Sequence, residues 1–254
     1  MVQDKFASAR KWVSKAGELV LASVSGNMQY ERKTGHQDLV TSVDRLVEFY
    51  FRKRIEEAFP NDVVVGEEYG GALGKNVWYI DPLDGTTNFI SQGRNYGISV
   101  AYYENHQPVF GLVLDVAAGE LYPAMTGEGS FCNDGTIHVS MRSRVEDSIL
   151  YTPVIQHTFL QEHPYQKRLL DLSQRVRAVR SLGSVALELC ALAAGRGELF
   201  FAMKSSPWDH NAARIILQEA GGILCLPDGR KAPFDYAGPI VASSRKSCIS
   251  LLTD

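Results

Sequence analysis

The sequence has 254 residues, 45 % apolar and 22 % charged, a composition that fits one large globular domain or two closely packed halves and excludes a disordered or fibrous chain. Its formal charge of −3 gives no bulk attraction toward nucleic acid or an anionic bilayer. The densest basic group, Arg175, Arg177 and Arg180, suits an exposed face better than a polyanion site.

No apolar run approaches a membrane span. The segment Met1 to Gly17 carries Asp4, Lys5, Arg10, Lys11 and Lys15, so it lacks the uninterrupted apolar core of a signal peptide. Cys132, Cys190, Cys225 and Cys248 are far apart, with neither metal-site spacing nor the density of a disulfide scaffold. Reduced thiols and a cytoplasmic protein are the expectation.

In chain order, Phe6, Ala9, Trp12, Val13, Ala16, Leu19 and Val20 recur at helical spacing and predict an amphipathic helix ending near Gly26. A second helix is predicted by Val43, Leu46, Val47, Tyr50, Phe51, Arg54, Ile55 and Phe59, with Pro60-Asn61 as its stop. Val63 to Val65 and Val77 to Ile80 predict buried strands, each running directly into acidic residues.

From Tyr96 to about Val139, β-rich segments at Gly97 to Tyr103, Val109 to Asp115 and Gly119 to Pro123 alternate with turn residues and predict an antiparallel meander. Helices follow at Tyr165 to Val176 and Ser184 to Ala194, then a strand at Glu198 to Met203. A helix at Pro207 to Ala220 closes on Gly221-Gly222, and Ile223 to Leu226 returns as a strand. No repeat or linker divides the chain, so a single unit is expected, with an N-terminal half of about 1–140 and a C-terminal half of about 141–254 sharing one site.

The strongest chemical signal is Asp81-Pro82-Leu83-Asp84-Gly85-Thr86-Thr87-Asn88-Phe89, directly after a buried strand. Pro82 keeps Asp81 extended and Gly85 permits a tight turn, so both carboxylates can emerge at the sheet edge. A helix beginning at Gly85 or Thr86 adds free N–H groups and two hydroxyls, a ready anion site. Cation ligands and anion donors then lie side by side, as a metal-bound phosphate ester requires.

Other carboxylates have mundane alternatives. Glu67 and Glu68 after Gly66 also fit a solvated loop, while Asp44 with Thr41, and Asp209 with Ser206 and Pro207, fit capping boxes at helix starts. As a set, Glu67, Asp81, Asp84 and Asp209 occupy strand ends and helix starts, where α/β folds build sites. Hard oxygen ligands without His or Cys select magnesium, with manganese as a substitute, over zinc. Gly70 to Lys75 is no P-loop, because its first Gly is out of register and Asn76 follows Lys75.

Together, Asp38 to Asp44, Gly66-Glu67-Glu68, Asp81 to Phe89, Trp208-Asp209 and Glu219 to Gly222 resemble the lithium-sensitive inositol monophosphatase family over nearly the whole chain. The resemblance implies a layered αβαβα sandwich, assembled as a homodimer, that hydrolyses a small phosphorylated metabolite. It implies Glu67, Asp81, Asp84, Asp209 and the Leu83 carbonyl as magnesium ligands, and Asp44 with Thr86 as the pair that positions and deprotonates the attacking water. It also implies Gly85, Thr86 and Thr87 as the phosphate cradle, Asp84 as a leaving-group contact, and Gly183-Ser184-Val185 as the polyol loop.

Two departures bear on the substrate. Ala202 stands where animal relatives have a Glu that bonds inositol hydroxyls, which opens the choice to fructose bisphosphate, histidinol phosphate or a phosphorylated dinucleotide. Thr87 stands where phosphatases of adenosine bisphosphates have Lys, which favours the monophosphatase branch. A regulatory, RNA-associated role on the same scaffold is the competing class, disfavoured by the negative charge and the intact acidic set.

Overall fold

A computed structural model describes residues 2–24, 30–35 and 38–253. The chain order is α1 (Val2–Ser23), β1 (Tyr30–Gly35), β2 (Asp38–Thr41), α2 (Ser42–Ala58), β3 (Val63–Gly66), β4 (Asn76–Asp84) and α3 (Thr86–Ser91). The meander follows as β5 (Gly97–Glu104), β6 (Gln107–Asp115), β7 (Glu120–Met125), β8 (Gly129–Cys132) and β9 (Gly135–Thr136). The rest is β10 (Ile149–Tyr151), a π-helical turn at Gln156–Leu160, α4 (Gln166–Arg175), β11 (Ala178–Arg180), α5 (Val185–Ala193), β12 (Leu199–Ala202), α6 (Pro207–Glu219), β13 (Ile223–Cys225), β14 (Ile240–Ser243) and α7 (Lys246–Thr253).

Strands β3 to β9 form one seven-stranded sheet in sequence order, with β3 and β4 parallel and the later pairs antiparallel. The apolar run of β4 is continuous because both faces of this sheet are covered. Trp78 and Ile80 pack among Val13, Val47 and Phe51 of α1 and α2, while Val77 and Tyr79 pack among Leu189, Ile215 and Ile216 of α5 and α6. Alternation along one strand therefore separates two cores.

A second, five-stranded sheet has the order β11-β10-β12-β14-β13. Phe200 and Ala202 of β12 face the α5 and α6 core, and Leu199 and Phe201 face a third core that includes Leu169 and Leu172 of α4 and Leu252 of α7. The layers are thus α1 and α2, large sheet, α5 and α6, small sheet, α4 and α7. This is the αβαβα sandwich that the family resemblance implies.

Several sequence expectations need correction at their edges. The first helix ends at Ser23, and the expected stop at Gly26 lies outside the described residues. Strand β4 continues to Asp84 through a register irregularity between Asp81 and Asp84, rather than stopping at Ile80. The basic group is exposed, as expected: Arg175 ends α4, Arg177 pairs with Asp147 at 2.7 Å, and Arg180 ends β11. Cys132, Cys190 and Cys225 are free thiols, and no helix among the described residues is long and apolar enough to cross a membrane.

Candidate functional site

The end of β4 supplies the first two acids. Asp81 is buried and its Oδ1 accepts the Leu83 N–H at 2.9 Å, which folds the carboxylate over the irregularity in the strand. Gly85 follows in a left-handed conformation (φ 89°), where a Cβ would stand 2.9 Å from the Asn95 carbonyl oxygen, so only glycine makes this turn without strain. Helix α3 then starts at Thr86, and the first intrahelical donors are Asn88 and Phe89, both bonded to the Gly85 carbonyl, which leaves the Thr86 and Thr87 N–H groups ahead of the ladder. Thr86 is half-buried and Thr87 exposed beside it.

Asp44 reaches this turn from α2. Its Oδ2 accepts the Thr41 N–H at 2.8 Å and the Thr41 hydroxyl, the capping box expected from the sequence. Its Oδ1 remains available for a second partner, the Thr86 hydroxyl at 3.2 Å, which also lies 3.1 Å from the Leu83 carbonyl oxygen. Burial raises the Asp44 pKa, opposed by the hydrogen bonds from Thr41 and Thr86. The cap and the site contact therefore coexist in one carboxylate, each oxygen with its own task.

Asp84 connects the two halves. Its Oδ2 accepts the Ser184 hydroxyl and the Ala186 N–H, both at 2.7 Å, and Ser184 in turn caps α5 by accepting the Leu187 N–H at 3.2 Å. Burial lifts Asp84 to about 6, with Ser184 and the amides of Ala186 and Val185 holding it down. Asp209 opens α6 in a capping box, its Oδ2 accepting the Ser206 N–H at 2.7 Å, and the Ser99 hydroxyl ties this turn to β5 through the Trp208 carbonyl at 2.9 Å.

Asp81 senses the whole set: burial raises its pKa well above the usual range, and the charges of Glu67, Asp84 and Asp209 raise it further. Four carboxylates from β4, the β3 exit and α6 therefore share one electrostatic field. They do not form a finished cage, because among the described residues no three His, Cys, Asp or Glu side chains stand ready around a single ion. Asp84 and Asp209 are turned toward backbone amides at helix starts. Neither Asp81 nor Asp84 has a Lys or Arg ion-pair partner among the described residues. Buried, mutually repelling oxygen donors of this kind suit a hard divalent cation.

The model of the inositol monophosphatase family matches residues 2–252. The chain belongs to that family. An inositol-1-monophosphatase of Bacillus subtilis (strain 168) is 38 % identical over 234 residues, covering 90 % of this chain and 86 % of the relative. A fructose-1,6-bisphosphatase/inositol-1-monophosphatase of Thermotoga maritima is 33 % identical over 230 residues, 90 % of this chain and 87 % of its own. Among solved structures, an IMPase/NADP phosphatase complexed with Mg2+ and phosphate superposes with a TM-score of 0.90 at 25 % identity, covering 99 % of this chain and 94 % of that one. The chain is a phosphoric monoester hydrolase.

Sequence reasoning missed Glu48, Arg52 and Glu188, which position this candidate site. Glu48 of α2 is fully buried, and its carboxylate accepts the Glu68 N–H at 2.6 Å, the Tyr69 N–H at 3.2 Å and Arg52 Nε at 2.8 Å. Arg52 also donates to the Gly70 carbonyl, so the pair clamps the loop that carries Glu67. A Cβ on Gly66 would lie 2.2 Å from Glu48 Oε1, which explains the glycine before the two acids. In sequence, Glu48 and Arg52 look only like an ordinary (i, i+4) surface pair.

On the other side, Glu188 of α5 accepts the Leu182 N–H at 2.5 Å and the Gly183 N–H at 3.2 Å, and Asn88 of α3 donates to the Leu182 carbonyl at 2.6 Å and the Asn95 carbonyl at 2.8 Å. These contacts fix the Gly183-Ser184-Val185 loop against the helix that bears Thr86 and Thr87. A cavity of about 480 Å³ opens there, with Thr87, Gln92, Gln156, His157, Ser181 and Gly183 among its walls. Its walls combine these polar groups with Pro153, Val154 and Leu182, and its size suits a small molecule. Ala202 is fully buried in β12, paired with Ile240, so no hydroxyl acceptor is offered from that position.

Proposed function

We propose that this phosphatase is a magnesium-dependent phosphomonoesterase that hydrolyses inositol monophosphate or a similar small polyol or sugar phosphate. The observation that carries this reading is the Thr86 hydroxyl, held between Asp44 Oδ1 and the Leu83 carbonyl oxygen next to the acidic set around Asp81. Glu67, Asp81, Asp84, Asp209 and the Leu83 carbonyl would hold the magnesium, with manganese as a substitute. When bound, the metal supplies Lewis acidity at the phosphoryl oxygens and the leaving alkoxide.

The chain's own residues do the rest. The N–H groups at the start of α3, with Gly85, Thr86 and Thr87, grip the phosphoryl oxygens and set the phosphorus in line for attack. Thr86 orients the water through its hydroxyl, and Asp44, raised by burial toward the working range of a base, takes the proton. Asp84 and the Gly183-Ser184-Val185 loop meet the leaving group, so one site is shared by the halves of about 1–140 and 141–254. A homodimer in the cytoplasm is the assembly and location that accompany this reading.

Ala202 keeps fructose bisphosphate, histidinol phosphate and NADP(H) as competing esters of the same chemistry. Phosphate release from these esters and from inositol monophosphate, with magnesium and then with chelator, tests the proposal. Turnover of at least one ester that chelator abolishes supports it. Turnover indifferent to chelator, or none on any ester, contradicts it.

A further inference from the structure

Helix α6 carries a second charged residue that the phosphatase site does not use. Arg214 is 4 % exposed. Its only hydrogen bond among the described residues runs from Nη1 to the Ala232 carbonyl at 2.8 Å, and its Nε is buried without a partner. No Asp or Glu among the described residues forms an ion pair with it. A guanidinium removed from water without a counter-charge is costly, and folds rarely retain one without a use.

Arg214 lines a cavity of about 310 Å³, whose basic residues are Arg214, Lys231 and His106, with no carboxylate in the wall. His106 stacks on Phe234 with ring centroids 4.7 Å apart, and the Tyr103 hydroxyl is bonded to Asn211 at 3.1 Å. The His106–Phe234 stack thus joins the turn between β5 and β6 to the segment that carries Lys231 and Ala232. The volume is at the lower end for small-molecule sites. Arg214 lies five residues beyond Asp209, a rise of about 7.5 Å and a rotation of about 140°, so the two side chains leave α6 in different directions.

We propose that this cavity is a second binding site, separate from the phosphatase centre, for a small oxoanion held by Arg214 with help from Lys231 and His106. The ligand class is a phosphate- or carboxylate-bearing metabolite, because a planar guanidinium presents paired N–H donors matched to such groups. Binding requires no divalent metal. It neutralises the charge that the fold leaves uncompensated, so the anion also raises thermal stability by mass action.

The test is calorimetric titration of the full chain, stripped of divalent cations and dialysed free of chelator, with inorganic phosphate and separately with citrate. The expected result is an anion-binding component weakened about tenfold or more by Arg214→Gln and unchanged in Asp44→Asn, with any anion held at the start of α3 forming a separate component insensitive to Arg214. Preference for phosphate or for citrate separates the phosphoryl from the carboxylate source. Absence of binding by both probes, or equal affinity in Arg214→Gln, overturns the site. If Arg214→Gln does not fold, the double variant His106→Gln, Lys231→Gln decides: weaker binding supports the proposal and unchanged binding overturns it.

Discussion

Ser184 Oγ and Asp84 Oδ2 lie 2.7 Å apart although 100 positions separate them in sequence. The hydroxyl performs two functions: it caps α5 by accepting the Leu187 N–H, and it fixes a carboxylate at the end of β4. Removing it should therefore move stability and activity together. Ser184→Ala is expected to lose about 1 kcal/mol of stability, the usual worth of a cap, and to lower activity on small esters. Chemical denaturation and steady-state kinetics on the same preparation check this. Full activity alongside the stability loss would confine Ser184 to capping.

Thr86→Val should reduce turnover by about 10²–10⁴-fold, the range for losing a group that orients proton transfer, while circular dichroism stays that of the folded protein. Because the Thr86 hydrogen bond lowers the Asp44 pKa, its loss raises that pKa. The acid limb of the residual activity should move to higher pH. A limb that stays in place would separate Asp44 from the proton transfer.

Metal-free stability has a definite sign with pH. The Asp84 carboxyl rises from an ordinary 3.8 to about 6 in the fold, chiefly through burial, and Asp81 rises by the same cause. A group raised in this way binds its proton more tightly folded than unfolded, so its contribution is present below about 3.8 and lost as pH climbs through about 6. Chelated protein should therefore lose this contribution between pH 4 and pH 7, and added magnesium should raise the melting temperature more at pH 7 than at pH 5. Equal magnesium stabilisation at both values would contradict an ionised, cation-binding set.

Glu48→Gln replaces one acceptor oxygen by a donor that faces amides and Arg52, so it loosens the Glu67 loop without touching substrate. The expected signature is a higher magnesium concentration for half-maximal activity, with kcat at saturating metal less affected. Gly66→Ala forces a methyl group against the same carboxylate and should cost about 1–3 kcal/mol, as overpacking does. Magnesium titrations of activity and thermal melts distinguish the two effects.

Much of this arrangement is legible in the sequence because it rests on local signals. The helical spacing in α1 and α2, the capping boxes of Thr41 with Asp44 and Ser206 with Asp209, and the turn at Gly85 all follow from residue types a few positions apart. The polar strand β1 and the short strands β10, β11 and β14 offer no such signal, since three or four residues cannot display a period. Their place in the order β11-β10-β12-β14-β13 is set by tertiary packing. Glu48 and Glu188 were invisible for a related reason: each is a helix residue whose partners are backbone amides in another loop. That Asp84 and Ser184 touch is equally a product of the fold.

Anomalous diffraction from crystals of the full chain grown with manganese tests directly whether the four carboxylates meet around a divalent cation. Anomalous density is expected within the set Asp81, Asp84, Glu67 and Asp209, beside the Leu83 carbonyl, with oxygen atoms as its ligands. Metal absent from that point, or bound elsewhere with these four carboxylates still on their present hydrogen bonds, would contradict that arrangement.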